Sequence, residues 1–269
     1  MTRSIPPSFS PIITALELDA PEIITMAELT ELVRSNGIGT SPKVVADRLR
    51  KLGWLLPTGT VGAWEFAPGG RAGPIGGGDP YIELKAALGV RPTLDAAVCL
   101  TSALAAHGLV ERRPEVLEVA VPTGSSIPSG LRRRARVVIF RANVAPKLLS
   151  GVPIHRPVTV LVHLAARPSD VRGWGAIADV LGELVEGTDA DDLDAELTDR
   201  PRSVRVRLAY LIQGVAPDLA DRLVPTVDGG SSAAKVWFGS RTKIKRHSAR
   251  FSVADSLLPF DPGDLRTAL

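Results

Sequence analysis

Apolar residues along this chain change period several times, and each change marks an element. Near the N-terminus Ile12, Ile13, Leu16 and Leu18 form a first helical stripe. Thr25 then stands three residues before Glu28, the spacing of a capping box. Leu29, Leu32 and Val33 follow at i, i+3, i+4, the core face of a second helix, which Gly37 and Gly39 stop. A third helix opens at Ser41 with Pro42 at its first position, where a missing N–H costs nothing. Val45, Leu49 and Leu52 turn inward on it, and Val44, Asp47, Arg48 and Lys51 fall on the opposite face. Gly53 ends it. Two short strands are expected around Trp54–Leu56 and Ala63–Phe66, joined by PTGTVG. Three helices and a hairpin in this order predict a winged helix-turn-helix.

Residues 68–80, PGGRAGPIGGGDP, are dense in Gly and Pro and read as a linker. Beyond it the pattern mixes both periods. Helices are expected at Tyr81–Leu88, Leu94–His107 and Trp174–Val185, with shorter ones at Leu193–Leu197, from Val204 to Ile212, and at Asp218–Leu223. VLEVAVP (116–122), RVVIFR (136–141), AAKVWF and SARFSV read as strands, and Pro157–Ala166 fits either state. The expected fold class is α+β: an N-terminal winged helix-turn-helix over residues 1–70 and a larger mixed α/β domain over residues 79–269.

Composition sets limits. The 269 residues predict about 1.8 domains, and 45% hydrophobic with 23% charged residues is a globular balance. A single cysteine, Cys99, excludes an intramolecular disulfide and a cysteine zinc site. The longest uncharged apolar run, Ala96–Ala106, is far short of the roughly 20 residues of a membrane helix. The opening MTRSIPPSFSP does not read as a signal peptide. The expected place is the cytoplasm.

Lys plus Arg number 32 and Asp plus Glu 29, a net charge of +3. The total hides blocks. LRRRAR (131–136) holds four arginines, residues 235–250 hold six Lys or Arg and no acid, and residues 183–199 hold eight carboxylates and no Lys or Arg. Such blocks are either solvated faces or binding surfaces. Over residues 1–70 six bases face seven acids, so nucleic-acid contact there depends on where individual side chains point.

On the third helix Ser41, Lys43, Val44, Asp47, Arg48 and Lys51 are the expected DNA-facing residues. Arg and Lys suit guanine edges or phosphate, and Asp47 either accepts from cytosine or holds Arg48 or Lys51 in place. Thr58 and Thr60 at the hairpin tip are expected to touch the adjacent backbone or the minor groove, and Arg3 and Arg71 on the flanks to add phosphate contacts. Arg132, Arg133, Arg134, Arg241, Lys243, Lys245 and Arg246 form a possible basic surface on the second domain.

Enzyme motifs do not assemble. Asp79 and Glu83-x-Lys85 resemble a metal-dependent nuclease site, but Asp79 stands only four residues from Glu83, on a helix start. Ser232-Ala-Ala-Lys235 lacks the partner motifs of acyl-transfer enzymes. GGRAGPIGGG lacks the ending of a phosphate loop. The acids from Asp189 to Asp194 lose calcium-loop spacing at Leu193 and Ala195. His107, His155, His163 and His247 show no metal spacing, so no catalytic residue, metal or cofactor is expected.

Two phrases carry a family resemblance. LTSALAAHGL (100–109) and RVRLAYLIQGVAPDLADRL (205–223) resemble those of AbiEi antitoxins of abortive-infection toxin–antitoxin systems, and the run into ARFSVADSLLP is similar to that family's closing region. Ala209 stands where the family has Gly before the tyrosine, here Tyr210. The resemblance implies an antitoxin that represses its own operon. Its winged helix would bind double-stranded operator DNA, which in such families carries inverted repeats, as a dimer or as cooperative monomers. Its C-terminal domain would counteract a nucleotidyltransferase-like toxin, with or without stable binding. Two other readings stay open: a DNA reader fused to a nuclease or transferase, and a regulator sensing a small molecule.

Overall fold

The computed structural model describes residues 5–71, 75–224 and 234–266. The chain divides into two compact units, and the division does not fall in the Gly/Pro-rich segment. The first unit is residues 1–95 with 124–137, and the second is residues 96–123 with 138–269.

The first unit begins with α1 (Ser10–Asp19), β1 (Ile23–Thr25), α2 (Met26–Ser35) and α3 (Pro42–Lys51). The strands β2 (Leu55–Pro57) and β3 (Ala63–Phe66) complete an antiparallel sheet of order β1-β3-β2. The capping box forms as spaced: the Glu28 amide donates to Thr25 Oγ1 at 3.2 Å, and the Thr25 amide donates to Glu28 Oε2 at 2.7 Å. Ser41 takes the extended cap conformation, but its side chain makes no capping bond. Ile12, Ile13, Leu16, Leu29, Val33, Val45 and Leu49 enter one core with Phe9, Trp54, Leu55 and Phe66. Leu18 does not join the stripe; it is 84% exposed, because two residues after Leu16 it stands about 200° around the helix, on the opposite face.

Two further helices finish this unit. One is α4 (Ile82–Val90), which packs on β1 and β3. The other, Ser129–Arg134, comes from the returning segment 124–137 and packs on α4. It is α6 in chain order.

The second unit holds β4 (Ala97–Val98), α5 (Leu100–Ala106), β5 (Glu118–Val121), the latter half of β6 (Arg136–Ile139), β7 (Lys147–Leu149) and β8 (Val152–Ile154). The sheet order is β6-β5-β4-β8-β7, with β4 and β8 parallel. The helix expected over Leu94–His107 is corrected to β4 followed by α5. Its first half, Ala96–Cys99, is buried as the central strand, and a short run buried on both faces has no period to tell it from a helix. The hairpin β7–β8, unseen in the pattern, turns at Ser150 (φ 50°) and Gly151 (φ 77°), a two-residue loop with both residues left-handed.

The ambiguous segment is α7 (Pro157–Ala166), a helix with Val158–Ala165 buried throughout. It packs against α5, α8 (Trp174–Glu186), α9 (Ala190–Leu197) and α10 (Arg202–Ile212), which accounts for its apolar residues on all sides. After α11 (Pro217–Leu223), a small sheet of β9 (Val236–Phe238), β10 (Arg246–Ser248) and β11 (Val253–Asp255) closes the unit in the order β10-β11-β9. The expected strand SARFSV is replaced by a turn between β10 and β11.

Candidate nucleic-acid interface

The first unit's chemistry follows from how α3 is anchored. Val45, Ala46 and Leu49 are buried, so the helix cannot rotate without exposing them. That fixes Lys43, Val44, Asp47, Arg48 and Lys51 outward, all exposed, as is Ser41 at the helix start. The N-terminal end carries free backbone N–H groups and no acid in its first turn. Asp47 pairs at 3.4 Å with Arg50, not with the expected Arg48 or Lys51. Arg48 instead lays its guanidinium over the Phe9 ring at 5.6 Å, a contact that orients the group while leaving it accessible.

The hairpin tip differs from the open loop the sequence suggested. Thr60 is 4% exposed, and Thr58 Oγ1 donates to the Ala63 carbonyl at 2.8 Å. The Gly59 amide donates to both carboxylate oxygens of Glu83 on α4, at 3.1 and 2.9 Å. A Cβ on Gly130 of α6 would stand 2.0 Å from the Gly59 carbonyl carbon, so helix and hairpin meet backbone to backbone. Expected solvent-facing hydroxyls at Thr58 and Thr60 are therefore corrected: α4 and α6 cover this end of the hairpin, and only Val61, 88% exposed, stands clear.

Arg71 is likewise engaged. It donates to Glu65 at 2.9 Å and reaches the Phe66 and Ile75 carbonyls at 3.5 Å. Arg3 lies outside the described residues, as does Ser232.

The nuclease-like trio is taken apart by the same contacts. Glu83 serves the hairpin, and Lys85 pairs with Asp79 at 2.8 Å and also with Glu22. Burial alone would lower the Lys85 ammonium; its bonds to Asp79 and Glu22 outweigh that and hold it above its ordinary pKa. No metal-holding cluster occurs among the described residues.

Arg132, Arg133 and Arg134 are exposed on α6 and belong to the first unit, not to the second domain where the sequence placed them. Their segment leaves the second unit after β5 and returns at β6, a detour with no periodic signal. The other basic block is divided. Arg241 and Lys243 are exposed, Lys245 donates to the Leu257 carbonyl at 3.0 Å, and Arg246 to the Leu258 carbonyl at 2.9 Å with Asp255 at 3.5 Å. Arg246 thus secures the C-terminal segment.

The acidic block has structural uses too. Asp189 caps α9, accepting from the Asp191 and Asp192 amides at 2.9 and 3.1 Å. Glu196 is fully buried and accepts from the Asn143 and Val144 amides, Thr159 Oγ1 and Arg200. Beside it the His155 and His163 rings are buried, with Phe140 stacked on His163 at 3.9 Å. Burial, then the nearby His163 and Arg200, pushes His155 down to about 3. His163 is lowered by burial, although Asp170 opposes the shift. This polar cluster was not legible as a unit, because its members are spread from Asn143 to Arg200.

Comparison with known proteins gives these features a context. Residues 96–214 match the family of the AbiEi antitoxin C-terminal domain. The fold is similar to the crystal structure of RV2827C protein from Mycobacterium tuberculosis, with a TM-score of 0.80 and 26% identity over 95% of this chain and 94% of that one. No curated protein matches the chain. No helix among the described residues is long and apolar enough to cross a membrane.

Proposed function

We propose that this chain, an AbiEi-type antitoxin through residues 96–214, represses its own operon through the first unit and counteracts a nucleotidyltransferase-like toxin through the second. The antitoxin role in a toxin–antitoxin system comes from the family. The DNA-binding part rests on one observation: α3 is locked by Val45, Ala46 and Leu49 with Lys43, Val44, Asp47, Arg48 and Lys51 on its free face.

The order α1-β1-α2-α3-β2-β3 and the sheet β1-β3-β2 support a winged helix-turn-helix reading in which α3 is the recognition helix. Lys43 and the free amides of the first turn suit a phosphate. Arg48 and Lys51 suit guanine O6 and N7. Inverted repeats in the operator would take two copies of the chain. Functional opposition to the toxin does not require a stable complex with it. The place of action on this reading is the cytoplasm, and the protein acts as a regulator with no catalysis of its own.

Two arms test the reading. A promoter fusion carrying the DNA upstream of the gene should be silenced by the full chain and released by Arg48→Ala with Lys51→Ala. Co-expression with an adjacent nucleotidyltransferase-like gene should restore growth, and the same double variant should still restore it. Metal-dependent cleavage of DNA or RNA by the purified chain would instead favour an enzyme.

A further inference from the structure

From the packing of α6 on the hairpin, we propose that Arg132, Arg133 and Arg134 form a second DNA-contacting element, gripping the phosphate backbone beside the site where α3 enters the groove. The proposal rests on the DNA-binding reading above and extends it. In that reading the hairpin would flank the recognition helix, yet its own hydroxyls are turned inward at Thr58 and Thr60. What surrounds the tip is α6.

The arrangement follows from Gly130. Its missing side chain lets the helix backbone approach Gly59 and Thr60 directly, where any Cβ would overlap the Gly59 carbonyl. With about 100° between successive helical residues, Arg133 and Arg134 flank the face that Gly130 turns to the hairpin, and Arg132 points away from it. The contacts agree: Arg133 Nη2 lies 3.4 Å from the Gly59 carbonyl, and Arg134 Nε lies 4.0 Å from Glu83. Neither contact consumes the guanidinium, which carries five donors in a planar fork suited to phosphate. The carboxylate that Arg134 faces, Glu83, is already held by the Gly59 amide. Three exposed cations therefore line one short helix packed on the hairpin end, Arg133 and Arg134 beside it and Arg132 on the outer side, and the single carboxylate of Glu83 does not balance them. The partner that fits is a row of phosphates, because the hairpin whose tip α6 covers follows α3 after Leu52–Trp54 and its strand β2 packs on α3, the helix assigned to the groove.

The experiment titrates the full chain onto a labelled duplex from upstream of its own gene, by fluorescence anisotropy, between about 50 and 200 mM salt. Arg132→Ala, Arg133→Ala and Arg134→Ala combined should weaken binding at least tenfold. The slope of log K against log salt should fall by about 2 to 3, because each phosphate contact contributes about 0.9. Preference for the upstream sequence over a scrambled one should persist, since phosphate contacts carry no sequence. The three Arg→Lys changes should keep the slope. Arg132→Ala alone, which leaves the contacts of Arg133 and Arg134 in place, should lower it by about 1. Unchanged slopes in both alanine variants would overturn the proposal while leaving α3 binding intact, even if toxin rescue were lost. Absence of wild-type binding would overturn the DNA-binding reading and this proposal together.

Discussion

Gly130 and Gly59 show how much one hydrogen atom in place of a methyl can decide. The two backbones meet so closely that Gly130→Ala would drive a Cβ to 2.0 Å from the Gly59 carbon. Overpacking of this kind costs about 1–3 kcal/mol, and neither partner is a flexible side-chain end. Thermal unfolding of Gly130→Ala should show a lowered midpoint, and an unchanged midpoint would mean that α6 does not pack on the hairpin. Glu196 is the corresponding residue of the second unit. It satisfies two amides, a hydroxyl and the Arg200 guanidinium in a fully buried place. Glu196→Ala leaves those groups without an acceptor, and loss of one partner from a buried pair costs about 3–5 kcal/mol. Urea unfolding should report a loss of that size.

His155 gives a pH dependence with a definite sign. Its folded pKa is pushed down to about 3, against an unfolded value of 6.5. Above pH 6.5 both states are neutral and nothing is gained or lost. Below it the unfolded chain binds a proton that the folded chain refuses, so stability falls as pH drops from 6.5 toward 3. At pH 5 the loss is about 2 kcal/mol for one such histidine. His163 shifts the same way. A chain with His155→Phe should lose less stability between pH 7 and pH 5 than the wild type, and equal losses would contradict the assignment.

Among elements, legibility tracks length and local chemistry. The capping box of α2 and the proline start of α3 are encoded within four residues, and both helices form where the pattern put them. The strand β1 is three residues long and pairs with β3 forty residues later, so nothing local announces it. The strand β4 hides in an alanine-rich run because its apolar residues serve both faces of the sheet. The charged residues of α3 were legible as a face; the covering of Thr60 was not, since α4 and α6 come from outside the winged segment. At this scale the free face of α3 is the testable object. Arg48→Ala with Lys51→Ala should abolish selective binding of the upstream DNA in a gel shift while lowering stability by no more than the roughly 0.5–1 kcal/mol of the Arg48–Phe9 contact. Retained selectivity would remove α3 from the role of reader.

For the whole molecule, a net charge of +3 says little, because its parts have different duties. Acids of the 183–199 block cap α9 and anchor Asn143 and Val144, and Arg246 secures the tail. The cations left exposed on α3 and α6 share the first unit. That unit is discontinuous, and its second piece, 124–137, lies inside the stretch matching the AbiEi antitoxin domain. A fragment ending at residue 70 would therefore lack α4 and α6. It should melt at a lower temperature than one joining residues 1–95 to 124–137, as circular dichroism would show.

The central claim is that this chain reads DNA of its own operon. The direct measurement is a pair of anisotropy titrations of the full chain at one fixed salt concentration, on the upstream duplex and on a scrambled duplex of equal length. The account predicts binding to the upstream duplex at least about a thousandfold tighter. Equal affinity for both, or none for either, would contradict it.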